Sequence, residues 1–318
     1  MAGKLTNDRQ MSASRLPALM GYSKYSTPND ELAYSINAID GKERPDIGNE
    51  AMAWGNTLEP VILAESAKRL GLAKFDSDIR QAYLHGSLPL QCSLDGLGEG
   101  EGQTITHDPA NGIYVIGQES IVLRGTGVLE AKLTKAFPED APDLARGPIQ
   151  LQGQLLVTGH QWGAVCVLYS GMQLRVFLFA VHYDTQKAIA KAVLEFQSKL
   201  DKYSNTGEFD WYAPASSIEV NRMFPVAHKE EIELDDKACE LAQTILDKKL
   251  VIAACDSAIN DAETKLKQLL GDAERGRAGQ IVVSWPMRNY KDAPEKLIPA
   301  RQAYSIRQSN IVIKELAA

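Results

Sequence analysis

Apolar positions outline this 318-residue chain before any chemistry is considered. Between residues 48 and 71, Met52, Leu58, Ile62 and Leu63 recur near helical spacing and Gly71 supplies a stop, which predicts a helix. Residues 162–169 and 174–182 are strongly apolar and are separated by Ser170-Gly171, which predicts an antiparallel strand pair. Shorter runs at 79–84, 88–94 and 128–133 read as strands, and 149–158 and 184–203 read as helices. Residues 9–40 predict two short helices broken at Gly21 and Pro28. The Gly-rich stretch Gly96 to Gly102 and the turn Asp108-Pro109-Ala110-Asn111-Gly112 predict a hairpin inserted over residues 98–125.

After residue 204 the pattern changes. Residues 205–229 hold turn residues, aromatics and two prolines, and read as a linker. From Glu230 to about Arg275 the chain is charged and alanine-rich. Leu241, Ile245, Leu246, Ile252, Ile259, Leu266, Leu269 and Leu270 give it an apolar helical face, read as a packing element. Ile281 to Trp285 and Ala303 to Arg307 look like the arms of a terminal β-ribbon. The order predicts a mixed α/β core over 1–204, a central mixed sheet flanked by helices, with a C-terminal helical and β-ribbon element over 230–318.

Composition narrows the class. Hydrophobic content of 44% and charged content of 24% suit a soluble globular protein. No apolar run approaches the ~20 residues that span a bilayer, and the first residues lack a hydrophobic signal core. A cytoplasmic protein with no membrane role is expected. Cys92, Cys166, Cys239 and Cys255 form no CxxC pair, so they predict reduced thiols, not a zinc or iron–sulfur site. The five histidines show no ligand spacing, and the glycines at 96–102 lack the Lys-Ser/Thr ending of a phosphate-binding loop. Trp54 and Trp162 read as core aromatics. A net charge of −7 argues mildly against nucleic acid, although a carboxylate-rich site that binds metal inverts its own field.

The chemistry lies in Asp95, then Glu130-Ala131-Lys132. Glu130 and Lys132 are two residues apart on a predicted strand, so both side chains leave one face. Asp95, near the end of another strand, is placed to join them. Phosphodiester hydrolysis needs a positioned water, charge neutralisation and help for the leaving oxygen, and two Mg²⁺ ions about 4 Å apart supply these. The carboxylates would bind metal, and Lys132 would orient or deprotonate the attacking water.

Asp, a gap and Glu-x-Lys resembles the core of the PD-(D/E)xK nucleases, and four further segments sharpen the resemblance. Ala51-Met52-Ala53-Trp54-Gly55-Asn56-Thr57-Leu58-Glu59 resembles the helix motif of lambda-exonuclease-like, YqaJ-type viral recombinases. Ser93-Leu94-Asp95-Gly96-Leu97 is similar to their S-P-D-G-L strand end, with Leu94 in place of the proline. Gln150-Leu151-Gln152 through Val157-Thr158-Gly159 resembles their Q-x-Q…V-T-G helix. Met11-Ser12-Ala13-Ser14-Arg15 with Gly21-Tyr22-Ser23-Lys24-Tyr25 resembles their N-terminal segment. The match runs over residues 9–203. The 34 residues between Asp95 and Glu130 exceed the plain hairpin expected of the family.

The resemblance implies a restriction-endonuclease-like fold and a Mg²⁺-dependent exonuclease on double-stranded DNA ends, with Mn²⁺ able to substitute. It implies 5′→3′ degradation leaving 3′ overhangs for a single-strand annealing partner, and a homo-oligomer such as a trimer, in a phage or prophage setting inside a bacterial cell. It assigns Asp95 and Glu130 to the metal, with Glu59 supporting them directly or through water. Lys132 goes to the nucleophilic water, and Gln150 to placing the lysine or the water. Ser14 goes to the 5′-phosphate, with Arg9 or Arg15 beside it. The alternatives are a DNA-binding protein that keeps the fold without turnover, and a related nuclease of different polarity.

Overall fold

The computed structural model describes residues 5–42 and 48–287, and these divide into two units after Met223. In the first unit β1 (Met11–Ser12) runs through a 3₁₀ turn, Ala13–Arg15, into the buried α1 (Leu16–Leu19). Thr27 starts α2 (Pro28–Ile39) with a capping box: its side chain accepts from the Asp30 N–H, and the Asp30 carboxylate accepts from the Thr27 N–H. Asn49 caps α3 (Glu50–Arg69) by accepting from the Met52 N–H.

Five strands follow: β2 (Lys74–Asp76), β3 (Tyr83–Leu84), β4 (Leu90–Cys92), β5 (Gly96–Thr106) and β6 (Ile113–Val115). Next come β7 (Ser120–Thr134), α4 (Pro148–Thr158), β8 (Trp162–Tyr169) and β9 (Gln173–Ala180). The unit ends with α5 (Tyr183–Thr206) and α6 (Ser217–Met223).

The central sheet is mixed, with strand order β2-β5-β7-β8-β9-β6. β5 and β7 are antiparallel, β7 and β8 are parallel, and β8 and β9 are antiparallel. The parallel pair needs a crossover, and α4 supplies it. A small second sheet, β1-β4-β3, lies apart from the central one. Alternation along the strands feeds two cores. Val128, Val165, Val167 and Phe177 join Leu16, Leu32, Leu151, Leu155 and Phe196 on the face of α1, α2, α4 and α5. Leu129, Ala164, Cys166 and Val176 join Ile62, Leu63, Ala67 and Leu70 of α3 on the other. The fold is therefore mixed α/β, a central mixed sheet flanked by helices, as the element order predicts.

Three stretches differ from their sequence expectation. The Gly-rich segment begins a long strand: Gly96, Gly98 and Gly100 alternate on the buried face of β5. A Cβ at Gly98 would lie 2.4 Å from Leu72 Cδ1, so the glycine allows the chain after α3 to close on the sheet. Residues 98–125 thus lengthen the β5–β7 hairpin, and within them β6 crosses to the far edge to pair parallel with β9. Trp162 is core, but Trp54 is 54% exposed, because burial in α3 begins only at Ile62. Residues 205–229 are not uniform. Asn29 Nδ2 donates to the Tyr212 carbonyl and to Glu219, whose carboxylate also accepts from the Ala215 N–H, so this stretch is held to α2 as far as α6.

The second unit holds α7 (Asp236–Leu270), capped by Asp235, and a hairpin of β10 (Arg275–Ala278) and β11 (Ile281–Ser284). No residue of α7 is buried. The ribbon partner of 281–284 is 275–278 and not 303–307, which lies outside the described residues. No helix among the described residues is long and apolar enough to cross a membrane.

Candidate active site

Strand alternation sends Glu130 and Lys132 to the same side of β7 as Val128, toward α4. Glu130 is 1% exposed and both its oxygens are engaged. Oε1 accepts from Lys132 Nζ at 2.6 Å and from Gln150 Nε2 at 2.7 Å. Oε2 accepts from Gln154 Nε2 at 2.6 Å. Lys132 Nζ also donates to Gln150 Oε1 at 3.1 Å. Asp95 sits in the short step between β4 and β5, and its Oδ2 accepts from the Ala131 N–H at 2.9 Å. That bond ties the start of β5 to the residue between Glu130 and Lys132.

Burial, then the neighbouring Glu130 carboxylate, pushes the Asp95 carboxyl well above its ordinary range, with Lys132 and the Ala131 N–H opposing. Glu59, half-buried in α3, is raised by burial and then by Glu130, with Lys132 again opposing. For Lys132, burial disfavours the charge, but Glu130, Asp95 and Glu59 outweigh it and its pKa is raised. Lys132 is therefore held as an ammonium donor in this arrangement. Burial pushes the Cys92 and Cys166 thiols up to about 12, which leaves both inert.

Asp95, Glu59 and Glu130 gather negative charge around a single ammonium, an all-oxygen donor set that suits a hard divalent cation. Among the described residues no three acidic, histidine or cysteine side chains stand together as a ready cage. An ion held here would complete its shell with water, as Mg²⁺ characteristically does.

The helix motif resolves differently from its sequence appearance. Residues two apart on a helix face nearly opposite ways, whereas i and i+4 share a face. Gln152 accordingly turns away: its Nε2 donates to the Ala180 carbonyl and its Oε1 accepts from the His182 N–H, so it fastens the β9–α5 junction. Gln154, which the Q-x-Q pattern does not single out, comes to the site instead. It is fully buried and also donates to the Ser93 carbonyl at 3.1 Å. The i+4 spacing from Gln150 is the signal that would have found it.

A groove of about 690 Å³ opens beside Lys132 and Gln150, lined also by Ser14, Lys24, Tyr25 and Arg146. Ser14 is exposed there, with its hydroxyl 3.2 Å from that of Ser12. Neither arginine singled out for phosphate is placed for it. Arg9 donates through Nε to the Ala38 carbonyl and does not line the groove. Arg15 borders the groove, but all five of its N–H groups are spent. Nε donates to Glu31 at 2.6 Å, and the others go to the carbonyls of Asp8, Gln10 and Glu31 and to Ser35 Oγ. Its guanidinium also lies 4.7 Å from the Tyr34 ring centre. Two further cations line the groove from other segments: Lys24, which is exposed, and Arg146, which is paired with Glu139.

Residues 6–161 match the YqaJ-like viral recombinase domain. No curated protein matches the chain. Among solved structures, the alkaline exonuclease LHK-Exo from Laribacter hongkongensis is similar at 19% identity with a TM-score of 0.45, over 62% of this chain and 90% of that one. LHK-Exo in complex with dAMP matches at 20% identity with the same TM-score and coverage. SSO0001 matches at 11% identity and a TM-score of 0.31, over 70% of this chain and 88% of that one.

Proposed function

With a YqaJ-like viral recombinase domain over residues 6–161 as the premise, we propose that the protein is a metal-dependent nuclease that hydrolyses phosphodiester bonds at double-stranded DNA ends. The observation that carries this is the hydrogen-bonded cluster of Asp95, Glu130, Lys132 and Gln150, two members of which, Lys132 and Gln150, line a groove that Lys24 and Arg146 also line. Asp95 and Glu130 would hold Mg²⁺, or Mn²⁺ in its place, with Glu59 assisting directly or through water. When bound, such ions neutralise phosphate charge and lower the pKa of water.

The chain's own groups do the positioning. Gln150, Gln154 and Lys132 clamp the Glu130 carboxylate from three directions, so it presents a fixed geometry without reorganising. The Lys132 ammonium, shared between Glu130 and Gln150, is placed to orient the attacking water and offset charge on the phosphate. Ser14, Lys24 and Arg146 supply hydroxyl and cationic donors for phosphates in the groove. The polarity proposed is 5′→3′, with the groove receiving a 5′-phosphate and the 3′ overhang passing to a single-strand annealing partner. Homo-oligomers of the nuclease unit, such as a trimer around the duplex, belong to the same proposal.

The test is digestion of a linear duplex labelled at one 5′ end, with Mg²⁺ or with EDTA, by wild type, Glu130→Ala and Lys132→Ala. Mg²⁺-dependent cutting lost in both variants is expected. Intact DNA with wild type removes the enzyme and leaves a DNA-binding protein, and equal cutting by the variants overturns the assignment of Glu130 and Lys132 to the chemistry. A 5′-phosphorylated duplex should be cut faster than a 5′-hydroxyl one; equal rates refute the end-recognition groove.

A further inference from the structure

The stripe on α7 has a period that neither the described residues of its own unit nor the nuclease reading uses. From Ala238, alternating steps of three and four residues land on Leu241, Ile245, Lys248, Ile252 and Cys255, and continue through Ile259, Ala262, Leu266 and Leu269. This is a heptad repeat with Ala238, Ile245, Ile252, Ile259 and Leu266 at a, and Leu241, Lys248, Cys255, Ala262 and Leu269 at d. Ile252 and Ile259 are each more than half exposed, as is Leu241. A stripe of period 3.5 drifts by about 20° per heptad around a straight helix. Only a second helix that supercoils with it keeps the whole stripe covered.

We propose that α7 pairs with α7 of a second copy of this chain as an antiparallel coiled coil. Size and charge choose this arrangement. With the two helices fully overlapped and reversed, each layer joins an a residue to a d residue of the other copy. Large side chains then meet small ones: Ile245 faces Ala262, Leu269 faces Ala238, and Ile252 faces Cys255. Lys248 packs its stem on Ile259 and lies within a turn of Asp256 and Glu263 of the second copy. The flanking e positions bring Lys249 against Asp256, twice by symmetry. A parallel in-register pair would instead put two Lys248 ammonium groups in one core layer and offer no opposite-charge pair across its g and e positions. A stripe about 50 Å long and about 10 Å wide on each helix amounts to roughly 1,000 Å² in all, the size from which specific association is expected.

The experiment uses the full chain carrying Cys239→Ser and Cys255→Ala, oxidised with diamide and run on a non-reducing gel. Adding Ile245→Cys and Ala262→Cys together should give a covalent dimer, and adding either alone should not. Light scattering should show the mass of the parent protein halved by Ile252→Lys with Ile259→Lys. Asp256→Lys should weaken association at least tenfold, and adding Lys249→Asp should restore it. Dimers from either single cysteine variant would mean a parallel pair and overturn the proposal. So would an unlinked double variant with an unchanged mass, the result expected if residues 288–318 or another protein cover the stripe.

Discussion

α4 and α7 are both regular helices, yet they invert the ordinary relation between polarity and burial. In α4 the buried residues include Gln152 and Gln154. In α7 the exposed residues include Ile252 and Ile259. Gln152 tolerates burial because both ends of its amide are bonded, to Ala180 and His182, whereas Gln154 spends its Nε2 on Glu130 and Ser93 and leaves its buried Oε1 without a partner among the described residues. Ile252 and Ile259 keep a strict repeat while more than half exposed. A helix's pattern specifies its face, and what the face meets decides whether that face becomes a core, a site or an interface.

The largest effect expected around α4 comes from outside the chemistry. Arg15→Ala removes the partner of the buried Glu31 carboxylate and the hydrogen bonds to the carbonyls of Asp8, Gln10 and Glu31 and to Ser35, so it should cost about 3–5 kcal/mol of stability. Urea unfolding measures this; an unchanged midpoint would free Arg15 for a role in the groove.

The two glutamines of α4 then separate site from scaffold. Gln154→Ala should lower the rate of DNA cutting roughly 10–100-fold, the usual cost of losing a group that orients a metal-binding carboxylate. Gln152→Ala should cost stability by about 1–3 kcal/mol with a near-normal rate per folded molecule. Steady-state kinetics beside thermal melts decide it, and reversed phenotypes would exchange the two roles.

A smaller effect is expected in the groove. Lys24→Ala and Arg146→Ala should each weaken DNA binding severalfold and reduce its salt dependence by about one charge. Fluorescence anisotropy at several salt concentrations reads this, and a flat result would exclude them from phosphate contact. The smallest effect belongs to α7, where Ile252→Lys should leave the cutting rate per nuclease unit unchanged in the same digestion assay. A large loss would tie α7 to the chemistry.

How much of this was visible in the sequence depended on whether one element sufficed. Glu130 and Lys132 were legible because a strand's period of two puts them on one face whatever surrounds it. The strands predicted at 162–169 and 174–182, found as Trp162–Tyr169 and Gln173–Ala180, were legible because both runs are mostly apolar. Gln154 was hidden because choosing it requires knowing which way α4 turns. Arg9 and Arg15 were named for the phosphate and Lys24 and Arg146 were not, since a sequence does not say whose donors are already spent on carbonyls. The reason for Gly98 was not legible in its own stretch, because Leu72, which presses on the strand there, comes from another segment. For α7 the repeat was legible and its occupant was not, because an occupant lies outside the chain's own pattern.

The central claim is that Asp95, Glu130 and Lys132 form a metal-dependent phosphodiesterase site. The most direct measurement is nucleotide release from a linear duplex as Mg²⁺ is titrated, for wild type and for Glu130→Gln. Release by wild type should rise to saturation with Mg²⁺ and vanish in EDTA. Glu130→Gln, folded by its melting curve, should release at least ~10³-fold less at every concentration, since metal charge stabilisation is worth several kcal/mol. Release that persists in EDTA, or a variant that matches wild type, would contradict the account.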